Sequence, residues 1–205
     1  MEENKTPKKE EMSTKETSKV EPKEEAREPA FQWTWKSAFF SFAWLGILLF
    51  GFDLLSKWLI VWNLPFDGKE YAVIPGFFYI APLTNEGSAY GAGDNIAWMR
   101  YVYIVISWVA TLAIPYFWYK GLKKHDNLLN AIYMLCWAGA IGNAIDRTFY
   151  WRNIVGFSGV VDFLSIQIGN WVPFGSFNVA DASLVIGVVM ALVTILVREI
   201  KGKKE

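Results

Sequence analysis

The sequence predicts an all-α membrane protein: four transmembrane helices with a small extracytoplasmic β-patch and an outer interfacial loop. Three observations carry this. The 205 residues are 53% apolar and 17% aromatic. After residue 30 the apolar residues collect into four runs, each near the ~20 residues a helix needs to cross a bilayer. The Lys and Arg residues flank one side of those runs, as the positive-inside rule expects of cytoplasmic segments.

The first 30 residues stand apart. They hold 7 Lys/Arg and 9 Asp/Glu with hardly a large apolar side chain, so burial cannot offset the entropy of ordering them. A disordered charged tail is expected over residues 1–30, and no cleavable signal peptide can be read from its order of residues. Residues 31–205 then form one membrane domain. Its spans run from about Ser37 to Trp62, Ile96 to Tyr119, Leu128 to Tyr150 and Asn178 to Val197.

Lys36, Lys120, Lys123, Lys124, Arg198, Lys201, Lys203 and Lys204 flank one side, which places both termini in the cytoplasm and residues 63–95 and 151–177 outside. Trp33, Trp35 and Trp118 fall near the inner boundary, and Trp58, Trp62, Trp98, Trp151 and Trp171 near the outer one, as interfacial anchors do. Tyr71 to Ala81 is rich in Val, Ile, Phe and Tyr around Pro75-Gly76, the pattern of a β-patch with a turn. Trp151 to Phe177 is expected to lie at the interface. The 20 basic residues balance 20 acidic ones, and without a basic stripe the chain is not expected to bind nucleic acid. One Cys and one His leave no disulfide framework and no Cys/His zinc site.

Ionisable groups at membrane depth are costly and mark either a functional site or a paired structural one. Here they are Asp53, Lys57, Asn143, Asp146, Arg147, Asp162, Asn178 and Asp181 if the two amides are counted with them, all toward the outer end. Asp53 and Lys57 are four apart and share a helix face, as do Asn143, Asp146 and Arg147. Ala138, Gly139, Ala140 and Gly142 are small enough to admit a neighbouring helix closely. Asp162 sits in Val160-Val161-Asp162-Phe163, where apolar surroundings disfavour its charge. Asp181 opens the fourth helix with Asn178 as its N-cap, where the dipole favours a carboxylate. Chemistry leaves two readings of this pair: an acid/base dyad sharing a proton, or an interfacial loop acid and a helix starter.

Together, Gly142-Asn143-Ala144-Ile145-Asp146-Arg147, Val160-Val161-Asp162-Phe163 and Phe177-Asn178-Val179-Ala180-Asp181 resemble the signature of the lipoprotein signal peptidases (signal peptidase II). Asp53-Leu54-Leu55-Ser56-Lys57 and Asn85-Glu86-Gly87-Ser88-Ala89-Tyr90-Gly91 resemble two earlier motifs of that family. The likeness spans residues 37 to 197 in order, so several motifs in register carry it. It implies a membrane aspartic protease that cuts prolipoprotein signal peptides before a diacylglyceryl-cysteine. By resemblance Asp162 and Asp181 are the catalytic pair. Asn85, Asn143, Arg147 and Asn178 line and order the site, and Asp53, Lys57 and Asp146 support it. No metal or organic cofactor is implied. The implied setting is the bacterial inner membrane, with lipid and lipidated prolipoproteins as partners and a monomeric enzyme.

The chain departs from the family's pattern at Leu54 and Leu55, at Ser88-Ala89-Tyr90, and in its charged tail. Two other classes stay open. A small channel or transporter would carry polar residues through the full membrane depth, and an assembly factor would tolerate Asn at both acids. A Ser56/Lys57 protease is disfavoured because adjacent helical residues point about 100° apart. Cys136 reads as a small buried hydrophobe with no His near it.

Overall fold

The computed structural model describes residues 34–87, 98–149, 159–168 and 175–202. The expected tail, Trp33, Trp151, Trp171 and the departure at Ser88-Ala89-Tyr90 lie outside the described residues. The elements in chain order are α1 (Trp35–Phe40), α2 (Ala43–Asn63), β1 (Tyr71–Ile74), β2 (Phe78–Asn85), α3 (Met99–Lys123), α4 (Asn127–Phe149), β3 (Val160–Ile166) and α5 (Val179–Gly202).

The helices α2 to α5 have 21, 25, 23 and 24 residues and are apolar enough to cross a membrane. At 1.5 Å rise per residue each exceeds the ~30 Å hydrocarbon core. Their ends differ from the sequence expectation, most instructively at the first span. The expected first span, from about Ser37, is broken: Ser41 donates from its hydroxyl to Ala38 O at 2.6 Å and accepts from Ala43 N at 3.2 Å. Phe42 then takes a left-handed backbone with φ 56°. A short α1 therefore precedes a separate membrane helix. At the other boundary, α3 runs past Tyr119 to Lys123, with Lys120 and Lys123 over the rings of Tyr116 and Tyr119, their stems along the helix as long cationic side chains lie at a membrane boundary.

The bundle is organised around α4, which packs against α2, α3 and α5. Of the four membrane helices it is the most buried and α3 the least. The outward faces of α2, α3 and α5 present large apolar side chains such as Leu48, Phe52, Val105, Val109, Leu192 and Ile195, the composition that lipid requires. Small residues on α4 and α5 let the helices close. A Cβ at Gly139 would meet the carbonyl of Ala180 and stand 2.8 Å from Leu184 Cβ, and one at Gly187 would stand 2.6 Å from Cys136 Sγ.

The expected β-patch is present and larger than the sequence pattern indicates. Strands β1, β2 and β3 form one antiparallel sheet in that order, with the turn at Pro75 to Phe77 using φ 79° at Gly76. The segment after α4, expected to lie at the interface, contributes β3. Its other edge is closed by Phe177, which exchanges backbone bonds with Phe163 and Leu164 at 2.8 to 3.0 Å. Val161 and Phe163 pack with Val61 of α2 in a small core beneath the sheet.

Because backbone atoms of α5 face Gly139, the contact cannot yield by a rotamer change. Gly139→Ala is expected to lower stability by about 1–3 kcal/mol, read as a lower melting temperature of the detergent-solubilised protein.

Candidate active site

The ion cluster begins with a helical spacing. Asp53 and Lys57, one turn apart on α2, form an ion pair at 2.8 Å, and Lys57 Nζ reaches Asp146 Oδ2 of α4 at the same distance. All three side chains are buried. The third ammonium proton points to Asn143 Oδ1 at 3.4 Å, so the three donors of Lys57 each have an acceptor. Gly142 makes this possible: a Cβ there would stand 2.5 Å from Asp53 Oδ2 and 2.9 Å from Ala180 Cβ.

Each carboxylate also holds a backbone amide. Asp53 Oδ1 accepts from Ala180 N at 2.8 Å, and Asp146 Oδ2 accepts from Val161 N at 3.3 Å. Ala180 immediately precedes Asp181, and Val161 immediately precedes Asp162. One lysine between two acids thus fixes the chain at the residue before each of Asp181 and Asp162.

Two side-chain amides complete the layer. Asn178 donates from Nδ2 to Asp162 Oδ1 at 2.7 Å and to Asn143 Oδ1 at 3.2 Å, and Asn143 Nδ2 donates to Asp181 Oδ1 at 2.7 Å. Asp162 and Asp181 are therefore joined through two hydrogen-bonded amides. Asn178 also caps α5, accepting from Asp181 N at 2.8 Å while its own N–H donates to Asp181 Oδ2 at 3.3 Å. This is the reciprocal arrangement of a capping box. Asn85, at the end of β2, donates to Asp162 Oδ2 at 3.0 Å and accepts from Gly87 N at 3.1 Å.

Burial first, and then the negative charge of Asp181, push the Asp162 carboxyl up to about 8, against the partial opposing pull of the Asn85 and Asn178 bonds. Burial and the neighbouring charge thus favour the protonated form of Asp162. Asp181 sits at a helix N-terminus among N–H donors, a setting that suits a carboxylate.

Arg147 occupies a different position from the other expected site residues. Its guanidinium donates to Gly87 O at 3.3 Å and to Ser107 Oγ at 3.4 Å, with the Tyr103 ring centroid 5.9 Å away. Its charge acts on Asp181 and Asp162, and it ties the end of β2 to α3 and α4. Arg147, Glu86, Arg100 and Gly159 line a small cleft beside the layer. All nine expected site residues thus fall in one region, eight of them in a single hydrogen-bonded and ion-paired set. Sequence reasoning missed Ser107 and Tyr103, which have no distinguishing pattern on α3. It also missed Gly159, whose φ of 96° and contact with the Asn85 carbonyl exclude a side chain. Its place just before Val160-Val161-Asp162 was a usable signal. Ser56 donates to Asp53 O at 2.9 Å and is not aligned with Lys57 as a nucleophile. Among the described residues no three His, Cys, Asp or Glu are grouped to hold a metal ion.

With this geometry in place, the chain can be compared with known proteins. A family model described as signal peptidase (SPase) II matches residues 45–197. A lipoprotein signal peptidase of Bacillus pumilus (strain SAFR-032) is 40% identical over 152 residues, covering 74% of this chain and 88% of that protein. A bacterial membrane enzyme solved by the in meso method at 2.3 Å superposes with a TM-score of 0.60 at 29% identity, covering 78% of this chain and 87% of the other. A second such structure, at 1.9 Å, has a TM-score of 0.60 at 28% identity over 78% and 92% of the two chains.

Removing Lys57 leaves two buried carboxylates without their cation. Lys57→Met is expected to cost about 3–5 kcal/mol in unfolding free energy, and Asp53→Asn/Lys57→Met/Asp146→Asn to recover part of it. The Asp162 proton has its own signature. An exposed carboxyl titrates near 3.8 and Asp162 near 8, so between these values the folded state binds the extra proton and stability falls as pH rises. Asp162→Asn should flatten that slope between about pH 4 and pH 8, measured by melting across the range.

Proposed function

The chain belongs to the signal peptidase II family, and on that premise we propose that it removes the signal peptide from diacylglyceryl-modified prolipoproteins, cutting just before the lipidated cysteine. It is an aspartic-type protease, and we assign Asp162 and Asp181 as its catalytic pair. The observation that carries the assignment is the amide bridge from Asp162 through Asn178 and Asn143 to Asp181. It draws carboxyl groups from a strand and a helix into one layer.

The proton inventory supports a cycle with no net loss. Asp181, ionised, takes a proton from water as the oxygen attacks the scissile carbonyl carbon, while the protonated Asp162 gives its proton to the carbonyl oxygen. Collapse of the tetrahedral intermediate returns that proton to Asp162. The C–N bond breaks, and Asp181 protonates the leaving amine. Asn85 and Asn178 keep the Asp162 carboxyl oriented through this exchange, and Arg147 holds the end of β2 where an extended peptide would pass. No step calls on a metal or organic cofactor.

The enzyme is assigned to the bacterial cytoplasmic membrane, with both termini cytoplasmic, the catalytic layer toward the outer face, and the precursor's acyl chains between the helices. It is expected to work as a monomer. A channel fits less well: among the described residues the buried charged side chains Asp53, Lys57, Asp146 and Asp162 all lie at the sheet end, while buried polar groups toward the opposite end, such as Asn130 and Thr194, are uncharged.

Purified protein assayed on a diacylglyceryl-modified precursor should lose about 10²–10⁴-fold in cleavage rate on Asp162→Asn or Asp181→Asn, and should keep its activity in a chelator. Cleavage should fall as pH rises through about 8, where Asp162 gives up its proton. Near wild-type processing by either Asn variant would overturn the assignment and favour an assembly factor.

A further inference from the structure

The opposite end of the bundle has a built feature that the peptidase reading leaves unused. An α-helix leaves its last four carbonyls without intrahelical partners, and in α1 each of these is taken. Ala38 O accepts from Ser41 Oγ at 2.6 Å, and Phe39 O from Trp44 Nε1 at 3.0 Å. Phe40 O accepts from Asn130 Nδ2 of α4 at 3.3 Å, and Ser41 O from Trp118 Nε1 of α3 at 2.7 Å. Ser41 and Asn130 are 1% and 2% exposed. Two other helices therefore grip the break between α1 and α2, and the start of α1 is closed by a capping box on Thr34.

This clasp fixes α1 at a definite depth. The 21 residues of α2 already account for the ~30 Å core, so α1 lies outside the hydrocarbon, at the headgroup level. There it exposes Trp35 and Phe39, 77% and 52% accessible. Lys36 stands over the Trp35 ring at 5.6 Å, matching Lys120 over Tyr116 at 4.6 Å and Lys123 over Tyr119 at 5.5 Å. All three lysines are exposed. The described residues at this end include six Lys and Arg against two acids, Asp126 and Glu199. Asp126 is already bound to Arg198 at 2.5 Å.

We propose that this end of the bundle is an anionic-phospholipid site, in which the clasped α1 lies in the headgroup layer and Lys36, Lys120 and Lys123 take lipid phosphodiesters. Tyr and Trp rings partition to that layer, and lysines beside it attract anionic headgroups. The occupant is the phospholipid of the adjacent leaflet, because each ammonium group stands over an aromatic ring beside a helix long enough to cross the core.

The test uses the full chain in detergent with phosphatidylglycerol or phosphatidylcholine of equal acyl length, and native mass spectrometry counts the lipid retained. The wild type should retain the anionic lipid in preference, and less so at high salt. Lys36→Gln/Lys120→Gln/Lys123→Gln should lose the preference by roughly fivefold for each lysine replaced, while the three Arg replacements keep it. Equal retention of the two lipids by the wild type would overturn the proposal. So would an unchanged preference in the triple Gln variant, or self-association through this face with no lipid bound. The readout does not depend on cleavage, so it stands or falls apart from the catalytic assignment.

Discussion

The buried ammonium of Lys57 is the constraint on which the rest of the site depends. A lysine at membrane depth is tolerable when its charge is matched and its three protons are bonded, and here Asp53, Asp146 and Asn143 accept them. The two carboxylates then have capacity left over, and each accepts a backbone N–H one residue before Asp181 or Asp162. The relative placement of β3 and α5, which come from different stretches of chain, is set in this way by one cation between two anions. The placement of Asp162 and Asp181 is accordingly tied to the ion cluster.

That cluster also lets two acids of the same chemistry differ. Asp162 is held on a strand whose neighbours Val160, Val161 and Phe163 are buried, and burial together with a second negative charge nearby raises its hold on a proton. Asp181 sits where a helix begins, with N–H groups of Asn143 and Asn178 on its oxygens. A strand and a helix terminus give opposite local fields to a carboxyl group. The asymmetry needed for one acid and one base therefore follows from secondary structure and burial.

Much of this was legible in the sequence because it rests on short-range periodicity. The i, i+4 pair Asp53 and Lys57, the Asn178 cap before Asp181, the Gly142 gap and the apolar setting of Asp162 each follow from spacing or immediate neighbours. What escaped notice depends on contacts made at long range. The break at Ser41 and Phe42 interrupts an apolar run without a Gly or Pro, and is held by Trp118 and Asn130 from two later helices. Strand β3 lay inside a Gly- and Trp-bearing loop, and its identity comes from pairing with β2 some eighty residues earlier. Neither β-propensity nor hydropathy carries that information, because pairing partners are chosen by the fold.

The strand is also the reason a buried acid can sit here. Irregular backbone next to the hydrocarbon is tolerated when its N–H and C=O groups are taken by protein. Val160 to Ile166 meets that condition on both edges: β2 on one side, and Phe177 on the other through bonds to Phe163 and Leu164. Successive side chains on a strand point to opposite faces, so Val161 and Phe163 enter the core against Val61 while Asp162 between them turns to Asn85 and Asn178. A helix at the same position would spread those three residues around its axis, and could not put the apolar pair in the core and the acid opposite it within three consecutive residues. The sheet thus does what a fifth membrane helix could not: it brings a carboxyl group to the boundary of the bilayer with its own backbone bonded, its neighbours buried, and one face open toward the amides that join it to Asp181.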